Sequence, residues 1–515
     1  MDMNRKRVTH THKHWSKQKP ELFLLAGLWV SFMALVMAAT TLLPTTKDVA
    51  NTSPALLYKV AINEEMHRPA VSVVKAGKLI AVNLTTMELA LYEDGVREKT
   101  FTVLSRGREG TAWETPTGKY TIQTKEPKHL SSIGGTWMPY SMQFYGNFFI
   151  HGWPTYENGA NVPTGYSGGC IRLSSADAGE VYTFATLGTR VIVSGGTSKD
   201  AYATTSRYYL HSKERAVSGV TEKILPSVTA EAFVVSDAMT GDVLWSRGAT
   251  QPLSPGSLVS LATALTAVET VDQYKIVRMG ELLLGKSVLR KKTLGGADEL
   301  PVGTLIYPLL YDTSDTAAKI FAREHGERKF KAYMNEKAQA IGMTATHFGG
   351  ESSLDVSTTT AHDLDTLLRY TLMHKHFLVA ASLSSMRSIV DSDGIHRFEW
   401  ENKNPWIENG DPAYRGGVAK EEDDGSGSAL TLFDIPVSEF GERTIAIVIL
   451  GSHDLEGDVS VLKQFVSDHY VYGIERREQF TREGDEPTPS LFQKASKLLD
   501  LEKLLKEDIV YDREI

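Results

Sequence analysis

The sequence predicts two globular domains behind an N-terminal transmembrane helix, the first domain mostly β and the second α+β. Three observations support this prediction. The 515 residues exceed what one hydrophobic core usually fills, which is roughly 250 to 300 residues. An uncharged apolar run lies near the N-terminus. Beyond that run, the apolar spacing of short strands gives way to the spacing of mixed helices and strands.

The N-terminal segment has the pattern of a membrane anchor. Residues 1–21 form a basic tail, and residues 22–43 carry no charge. At ~1.5 Å per helical residue, this run spans the ~30 Å hydrocarbon core of a bilayer. The basic tail is expected to stay in the cytoplasm, so that a single pass places the rest of the chain on the periplasmic or extracellular side. A cleaved signal peptide is the alternative, since Val36 and Ala38 offer a small-residue cleavage pattern.

The first domain is predicted to cover residues 71–196, after a spacer at 44–70. Short apolar stretches separated by turn residues predict strands at 78–83, 88–92, 99–104 and 118–124. Asp94-Gly95 is a hairpin signal between two of these stretches. A short helix is predicted at 175–185, capped by Ser174 or Ser175.

The second domain is predicted at residues 229–473, after a polar linker at 197–228. A hairpin is predicted at 232–245, with its turn at 240–242. Helical spacing follows at 258–268, 315–324, 329–341 and 360–370, and strands return at 430–433 and 444–450. Residues 474–515 form a charged tail with an amphipathic helix at 490–506. This helix either packs on its own chain or binds a partner, and the first is favoured.

Composition excludes some classes of partner and leaves the single cysteine to be explained. The formal net charge is −8, and no basic stripe is present, so no nucleic acid is expected as a partner. No cofactor is suggested, and no second cysteine or helical His-x-x-x-His pair accompanies Cys170 to form a metal site. A lone cysteine in an exported chain is an intermolecular bridge, a buried bystander or a reactive thiol.

The residues around Cys170 favour the reactive thiol. His151-Gly152 precedes Ser167-Gly168-Gly169-Cys170-Ile171-Arg172-Leu173 by a short gap. Acyl chemistry needs a thiolate, a base and donors for an oxyanion. His151 is the candidate base, because a neighbouring imidazole can hold the thiolate. Gly168 and Gly169 leave main-chain N–H groups unshielded for a substrate carbonyl.

These residues resemble the catalytic domain of L,D-transpeptidases, together with Thr115-Pro116-Thr117-Gly118 and Met138-Pro139-Tyr140. The resemblance implies acyl transfer through a thioester on Cys170, with His151 oriented by the carbonyl of Gly152. It also implies that a peptidoglycan peptide stem is the donor and that an amine is the acceptor. Ser167, Gly168, Gly169, Arg172 and Tyr140 are the candidate oxyanion and substrate-binding residues.

The motif departs from the family pattern at Gly168, and Arg172 has two candidate roles. The family often has histidine directly before the Gly-Cys pair, where this chain has Gly168, so any accessory role of that histidine is lost. Arg172 could anchor a carboxylate of the donor peptide or hold the loop through an ion pair.

Residues 229–455 resemble D-alanyl-D-alanine carboxypeptidases of the penicillin-binding type, through the stretches 233–241, 253–258 and 333–348. The catalytic motifs of that family are degenerate here. The Ser-x-x-Lys position reads Ser257-Leu258-Val259-Ser260, the Ser-x-Asn position reads Thr313-Ser314-Asp315, and the Lys-Thr-Gly region at 416–420 reads Gly-Gly-Val-Ala-Lys. A serine without a base is a poor nucleophile, so this domain is predicted to be inactive and either to bind or position peptidoglycan or to brace the first domain.

The sequence therefore predicts a membrane-anchored peptidoglycan L,D-transpeptidase that joins a stem to an amine of a second stem or of a wall-attached protein. An L,D-carboxypeptidase or endopeptidase using the same site is one alternative. A non-catalytic peptidoglycan-binding structural protein is the other.

Overall fold

The computed structural model describes residues 76–195, 207–210, 227–278, 299–349, 357–390, 394, 397–422, 425–438 and 441–473. All of these residues belong to one compact unit, 65–515. They form two domains, a mostly-β domain at 76–195 and an α+β domain that begins with a strand at 207–210.

Two mostly antiparallel sheets form the first domain. One sheet has the strand order β3-β2-β1-β9-β4, and the other has the order β5-β6-β7-β8. The strands are β1 (Lys78–Asn83), β2 (Glu88–Glu93), β3 (Val96–Thr102), β4 (Gly118–Thr121), β5 (Thr124–Ser131), β6 (Thr136–Tyr145), β7 (Phe148–Gly152), β8 (Ile171–Leu173) and β9 (Arg190–Ser194).

The core of this domain holds apolar side chains from both sheets, among them Ile80, Leu89, Phe144 and Ile171. A single helix of the described segment 76–195, α1 (Ser175–Phe184), contributes Ala178 and Val181 to this core. The buried C-terminal part of β6 and the complete burial of β7 place the second sheet with its candidate site residues directly on this core.

The predicted local signals of the first domain are confirmed. β1 matches its predicted range, and the hairpin between β2 and β3 turns at Asp94-Gly95, where both residues have positive φ. Ser174 caps α1 by accepting a hydrogen bond from the main-chain N–H of Asp177 at 3.0 Å. The long β5–β6 hairpin was not predicted, because β5 is largely exposed and carries little apolar alternation.

The second domain has a mixed sheet with helices on both sides. Its main sheet has the strand order β10-β22-β20-β21-β11-β12, and β19 pairs with β20. Those strands are β10 (Arg207–Leu210), β11 (Ala232–Asp237), β12 (Val243–Arg247), β19 (Tyr414–Glu421), β20 (Gly427–Ser438), β21 (Gly441–Ser452) and β22 (Tyr470–Gly473). Short two-stranded ribbons are β13 (Ile276–Arg278) with β14 (Glu299–Pro301), β15 (His347–Phe348) with β16 (Ser357–Thr358), and β17 (Met386–Val390) with β18 (Arg397–Glu401).

The helices of this domain pack on the sheet through two apolar clusters. The larger cluster surrounds α2, which is buried along its whole length. The helices are α2 (Val259–Thr270), α3 (Ile306–Asp312), α4 (Asp315–His325), α5 (Glu327–Ile341), α6 (Ala361–His374), α7 (His376–Ala381), α8 (Pro405–Glu408) and α9 (Leu455–His469). Short 3-10 turns precede α2 at Gly256–Leu258 and α3 at Val302–Leu305.

The prediction of a linker at 197–228 needs one correction. Residues Arg207–Leu210 form β10, which pairs antiparallel with β22 at the edge of the second sheet. The pairing partner lies more than 250 residues away in sequence, so local composition could not reveal it.

The predicted transmembrane helix at 22–43, the spacer at 44–70 and the tail helix at 490–506 lie outside the described residues. Within the described ranges, no helix combines the length and apolarity needed to cross a bilayer. The anchor therefore stays a prediction from sequence.

Candidate active site

His151 lies at the end of β7 and is almost completely buried, with 1% of its surface exposed. Its Nδ1 atom lies 2.6 Å from the carbonyl oxygen of Gly152. A carbonyl oxygen only accepts hydrogen bonds, so Nδ1 carries the proton and Nε2 is the acceptor of the neutral ring. This is the orientation that the resemblance implied for His151 and Gly152.

Gly152 is required at its position by close packing. A Cβ atom on this residue would lie 2.9 Å from the Cα of Ser175 and 3.0 Å from Pro139. The start of α1 therefore presses directly against the main chain whose carbonyl orients His151.

Cys170 directly precedes β8, which pairs in parallel with β7. Ile171 is paired with Ile150, and Arg172 is paired with His151. Cys170 therefore lies at the end of the loop that enters β8, next to the strand that carries His151. The cysteine packs in a small apolar cluster with Met138 and Phe149.

The Cys170 thiol donates to the carbonyl oxygen of Asn147, at an Sγ–O distance of 3.7 Å. Among the described residues, no hydrogen bond joins this thiol to the His151 imidazole. Arg172 is paired with His151 in the sheet and lies two residues after Cys170, and its positive charge lowers the pKa of both groups.

Burial keeps both groups neutral. It lowers the pKa of His151 to about 4, against a smaller raising effect of the hydrogen bond with Gly152. It also raises the pKa of Cys170 to about 11, against smaller lowering effects of the Phe149 main chain and of Arg172. The sequence predicts that His151 holds Cys170 as a thiolate. A resting thiolate–imidazolium pair is disfavoured near pH 7 by these pKa values. Burial instead favours a neutral thiol and a neutral base.

Hydrogen bonds fix the loop that carries Cys170. Ser167 Oγ donates to the carbonyl of Cys170 at 2.6 Å and accepts from the N–H of Gly169 at 3.0 Å. On the other side, Thr115 Oγ1 donates to the carbonyl of Gly169 at 2.8 Å and accepts from the N–H of Gly107 at 2.9 Å. Because the Gly169 N–H is occupied within the loop, Gly168 and Cys170 supply the better candidate N–H donors for an oxyanion.

The two glycines before Cys170 differ in what their positions tolerate. Gly169 has φ +102°, and a Cβ atom there would clash with the Phe148 ring. At Gly168, the nearest atom to an added Cβ is 3.9 Å away, on the Trp113 ring, which is ordinary contact. Gly169 is therefore required by the fold, whereas the Gly168 position has room for a side chain.

Arg172 is a candidate for substrate binding because its guanidinium has no partner on one nitrogen. Its Nε is buried and has no hydrogen-bond partner in the described part of the chain. The guanidinium carbon lies 5.6 Å from the centroid of the Trp153 ring. A carboxylate could satisfy the buried N–H, whereas the loop-holding ion pair that the sequence left open is not seen among the described residues.

Tyr140 is placed away from the Cys170 cluster. Its ring packs on Tyr182, with centroids 5.8 Å apart, and on Gly179 of α1. It has φ +54°, an uncommon value for a residue other than glycine. Its proposed part in substrate binding stays a prediction.

Three residues outside the motif hold the Cys170 loop and were not predicted from the sequence. Thr115, Asn147 and Met138 contact the Cys170 loop directly. Thr115 and Met138 lie in stretches that carried the family resemblance, but nothing in their residue types predicted these contacts.

The degenerate site of the second domain is occupied by its own side chains. Glu422 Oε1 accepts a hydrogen bond from the N–H of Ser257 at 3.0 Å. Ser260 is fully buried in α2, and its hydroxyl has no partner among the described residues. Lys420 pairs with Asp312 at 2.8 Å. Ser314 caps α4 by accepting from the N–H of Ala317 at 3.3 Å.

Two family models match successive parts of this chain. Residues 77–193 match the family model of the L,D-transpeptidase catalytic domain, and residues 219–418 match that of D-alanyl-D-alanine carboxypeptidase. The predicted order of the two domains is thus confirmed.

Individual proteins resemble each part. The protein named L,D-transpeptidase YkuD in Bacillus licheniformis is 33% identical over 114 residues, which are 22% of this chain and 64% of that protein. D-alanyl-D-alanine carboxypeptidase DacD of Escherichia coli is 26% identical over 158 residues, 28% of this chain and 41% of that protein. The chain thus spans less than two thirds of the length of either relative.

A crystal structure of D-alanyl-D-alanine carboxypeptidase from Mycobacterium tuberculosis H37Rv aligns with 48% of this chain and 94% of its own. The sequence identity is 19% and the TM-score 0.40.

Proposed function

We propose that the chain is a peptidoglycan L,D-transpeptidase in which Cys170 is the nucleophile and His151 the proton acceptor. The observation that carries the proposal is the fixed tautomer of His151, whose Nε2 is left as the acceptor on the strand beside the single cysteine. The match of residues 77–193 to the L,D-transpeptidase family model supports the same chemistry.

The first half of the reaction forms a thioester. The Cys170 sulfur attacks the carbonyl carbon of the stem residue that precedes the terminal D-residue, and the thiol proton passes to His151 Nε2. The negative charge on the carbonyl oxygen is met by main-chain N–H groups of Gly168 and Cys170. The C–N bond then breaks, and His151 returns the proton to the leaving amine of the D-residue.

The second half transfers the acyl group. An acceptor amine attacks the thioester carbon, a new C–N bond forms, and the C–S bond breaks. The amine proton passes through His151 to the sulfur and regenerates the neutral thiol. The acceptor is an amine of a second stem or of a wall-attached protein, and water in the same place gives a carboxypeptidase or endopeptidase instead.

Arg172 is proposed to bind a carboxylate of the donor stem. Its buried, unpartnered Nε supports this role, because leaving such a donor without an acceptor is costly. The second domain is proposed to be inactive, because Ser257 has no lysine three residues on and its N–H is already held by Glu422.

The experiment follows D-residue release from a tetrapeptide stem by the full chain, with and without an amine acceptor. Cys170→Ser and His151→Gln are expected to lose at least about 100-fold in rate. Ser257→Ala is the control and should keep the wild-type rate. Mass spectrometry of the products separates transfer from hydrolysis. Unchanged release by Cys170→Ser would overturn the proposal, and no release by the wild type would favour a non-catalytic wall-binding protein.

Membrane anchoring through residues 22–43 is also a proposal. The uncharged run and its basic N-terminal flank support a single pass with the N-terminus in the cytoplasm. The full chain should sediment with membranes after alkaline washing, and a chain lacking residues 1–43 should not. Release of a shortened soluble chain from cells would favour the cleaved signal peptide.

A further inference from the structure

The carboxypeptidase-like domain contacts two of the structural elements that hold the Cys170 loop. One is Asn147, whose carbonyl accepts from the Cys170 thiol. The other is the segment of Glu114 and Thr115, which holds the carbonyl of Gly169 through Thr115 Oγ1. Each of these elements is bonded to a different residue of the second domain.

The first tether joins Asn147 to the end of α2. Asn147 Nδ2 donates to the carbonyl oxygen of Thr270 at 2.6 Å. Gly146 also packs closely against this helix end, because a Cβ atom on it would lie 2.8 Å from the Thr270 side chain. The residue that accepts from the thiol is thus fixed by a second-domain carbonyl.

The second tether joins Glu114 to the end of α6. His374 Nδ1 lies 2.9 Å from Glu114 Oε1, and Lys375 Nζ donates to the Glu114 carbonyl at 2.9 Å. Lys375 is fully buried, and Glu114 is nearly so. The next residue after Glu114 is Thr115, so the main chain that positions Gly169 is held directly by a buried cation.

The two tethers meet inside the second domain. Glu269 precedes Thr270, and its carboxylate lies 3.8 Å from Lys375 Nζ and 3.0 Å from Lys337 Nζ. A buried ionic group is poor evidence for stability, because desolvation offsets most of its Coulomb energy. The cluster instead fixes the geometry at the ends of α2 and α6.

We propose that the carboxypeptidase-like domain is a scaffold that positions Cys170, through Thr270 on Asn147 and through His374 and Lys375 on Glu114. This inference rests on the proposed function, in which Cys170 is the nucleophile. It gives the inactive domain a task in the reaction of its neighbour. His374 and Lys375 are positioning residues, since they act on Cys170 through Glu114 and Thr115.

The interface offers a matched control. Gln123 Nε2 donates to Glu336 Oε1 at 2.5 Å, which joins the two domains without any contact to the Cys170 loop. Replacing a residue that only stabilises the domain interface should have the same effects as replacing Gln123. Replacing a positioning residue should also lower the rate of stem turnover.

The test compares Asn147→Ala, His374→Ala and Gln123→Ala in the full chain. Stem turnover, the melting temperature and the pH midpoint of iodoacetamide alkylation of Cys170 are measured. The first two variants are expected to lose about 10- to 100-fold in kcat, with KM changed less than about threefold. Their alkylation midpoint should fall by at least about one pH unit, because the loosened loop admits water to the thiol. Gln123→Ala should change only the melting temperature.

Conservative variants separate positioning from folding damage. His374→Asn places an amide donor near the Nδ1 position, from which it can donate to Glu114, and should keep kcat. His374→Gln places its amide near the Nε2 position instead and should lose kcat. This pair also serves if an alanine variant fails to fold. Equal kcat and equal alkylation midpoints in Asn147→Ala, His374→Ala and Gln123→Ala would overturn the inference. If the wild type releases no D-residue, the proposed function fails, and the alkylation midpoint alone decides whether the domain positions Cys170.

Discussion

The Nδ1 atom of His151 lies 2.6 Å from the carbonyl oxygen of Gly152, which fixes the neutral tautomer with Nε2 as acceptor. Burial lowers the pKa of this imidazole to about 4 and raises the pKa of the Cys170 thiol to about 11. Both groups are therefore held neutral, and in the proposed reaction the thiol proton passes to His151 only when Cys170 attacks a substrate.

The pH dependence of thiol alkylation is the first prediction. Only the thiolate reacts, and the pKa of Cys170 is raised, so the rate with iodoacetamide should rise about tenfold per pH unit from 7 to 10. No plateau is expected below about pH 11. Stem turnover should persist as the pH falls towards about 4, where His151 becomes protonated. An alkylation rate that is already constant between pH 6 and 8 would show a thiolate–imidazolium pair instead.

The two glycines before Cys170 give the second prediction. Gly168→His should change the melting temperature by less than about 2 °C, because a side chain there makes only ordinary contact. Gly169→Ala should lower the free energy of unfolding by about 2 to 4 kcal/mol, because it combines a positive φ with a clash against Phe148. Thermal and urea unfolding measure both variants. Equal losses in the two variants would contradict the loop geometry.

Most candidate site residues were predictable from sequence, because they lie in one short motif and the candidate base, His151, lies on the adjacent strand. Residues 150–152 of β7 pair with residues 171–173 of β8, so residues close in the motif stay close in the fold. Regular helices such as α2 and α5 were predicted for the same local reason. The contacts between domains were not predictable, since Glu114 and His374 are separated by 260 residues and neither has a distinctive neighbourhood.

Glu336, a half-buried carboxylate at the domain interface, gives the third prediction. Burial raises the pKa of Glu336 from 4.5 to about 7, against smaller lowering effects of Gln123 and Lys337. The folded state therefore binds more protons than the unfolded state between these values, and stability is lost as the pH rises through this window. Glu336→Gln should raise the free energy of unfolding by about 1 to 3 kcal/mol at pH 8 and change it little at pH 4.5.

The exposed Glu327 on the same helix supplies the control for this measurement. Glu327→Gln should show no gain that depends on pH. A gain from Glu336→Gln that is equal at pH 4.5 and pH 8 would contradict the assignment of this titration to Glu336. Urea unfolding at the two pH values decides between these results.

The fourth prediction concerns the second domain. Fluorescent penicillin should not label the chain covalently, because Ser257 lacks a lysine base and Glu422 occupies its N–H. An active penicillin-binding protein in the same gel serves as the positive control. A labelled band that disappears in Ser257→Ala would show that the domain retains serine chemistry.

The most direct test of the central claim is intact-mass spectrometry of the full chain after brief mixing with a tetrapeptide stem. The wild type is predicted to carry the mass of the stem lacking its terminal D-residue, and peptide mapping should place this adduct on Cys170. Cys170→Ala should carry none. A wild-type chain that releases the D-residue while Cys170 stays unmodified, or an adduct of equal yield in Cys170→Ala, would contradict the account.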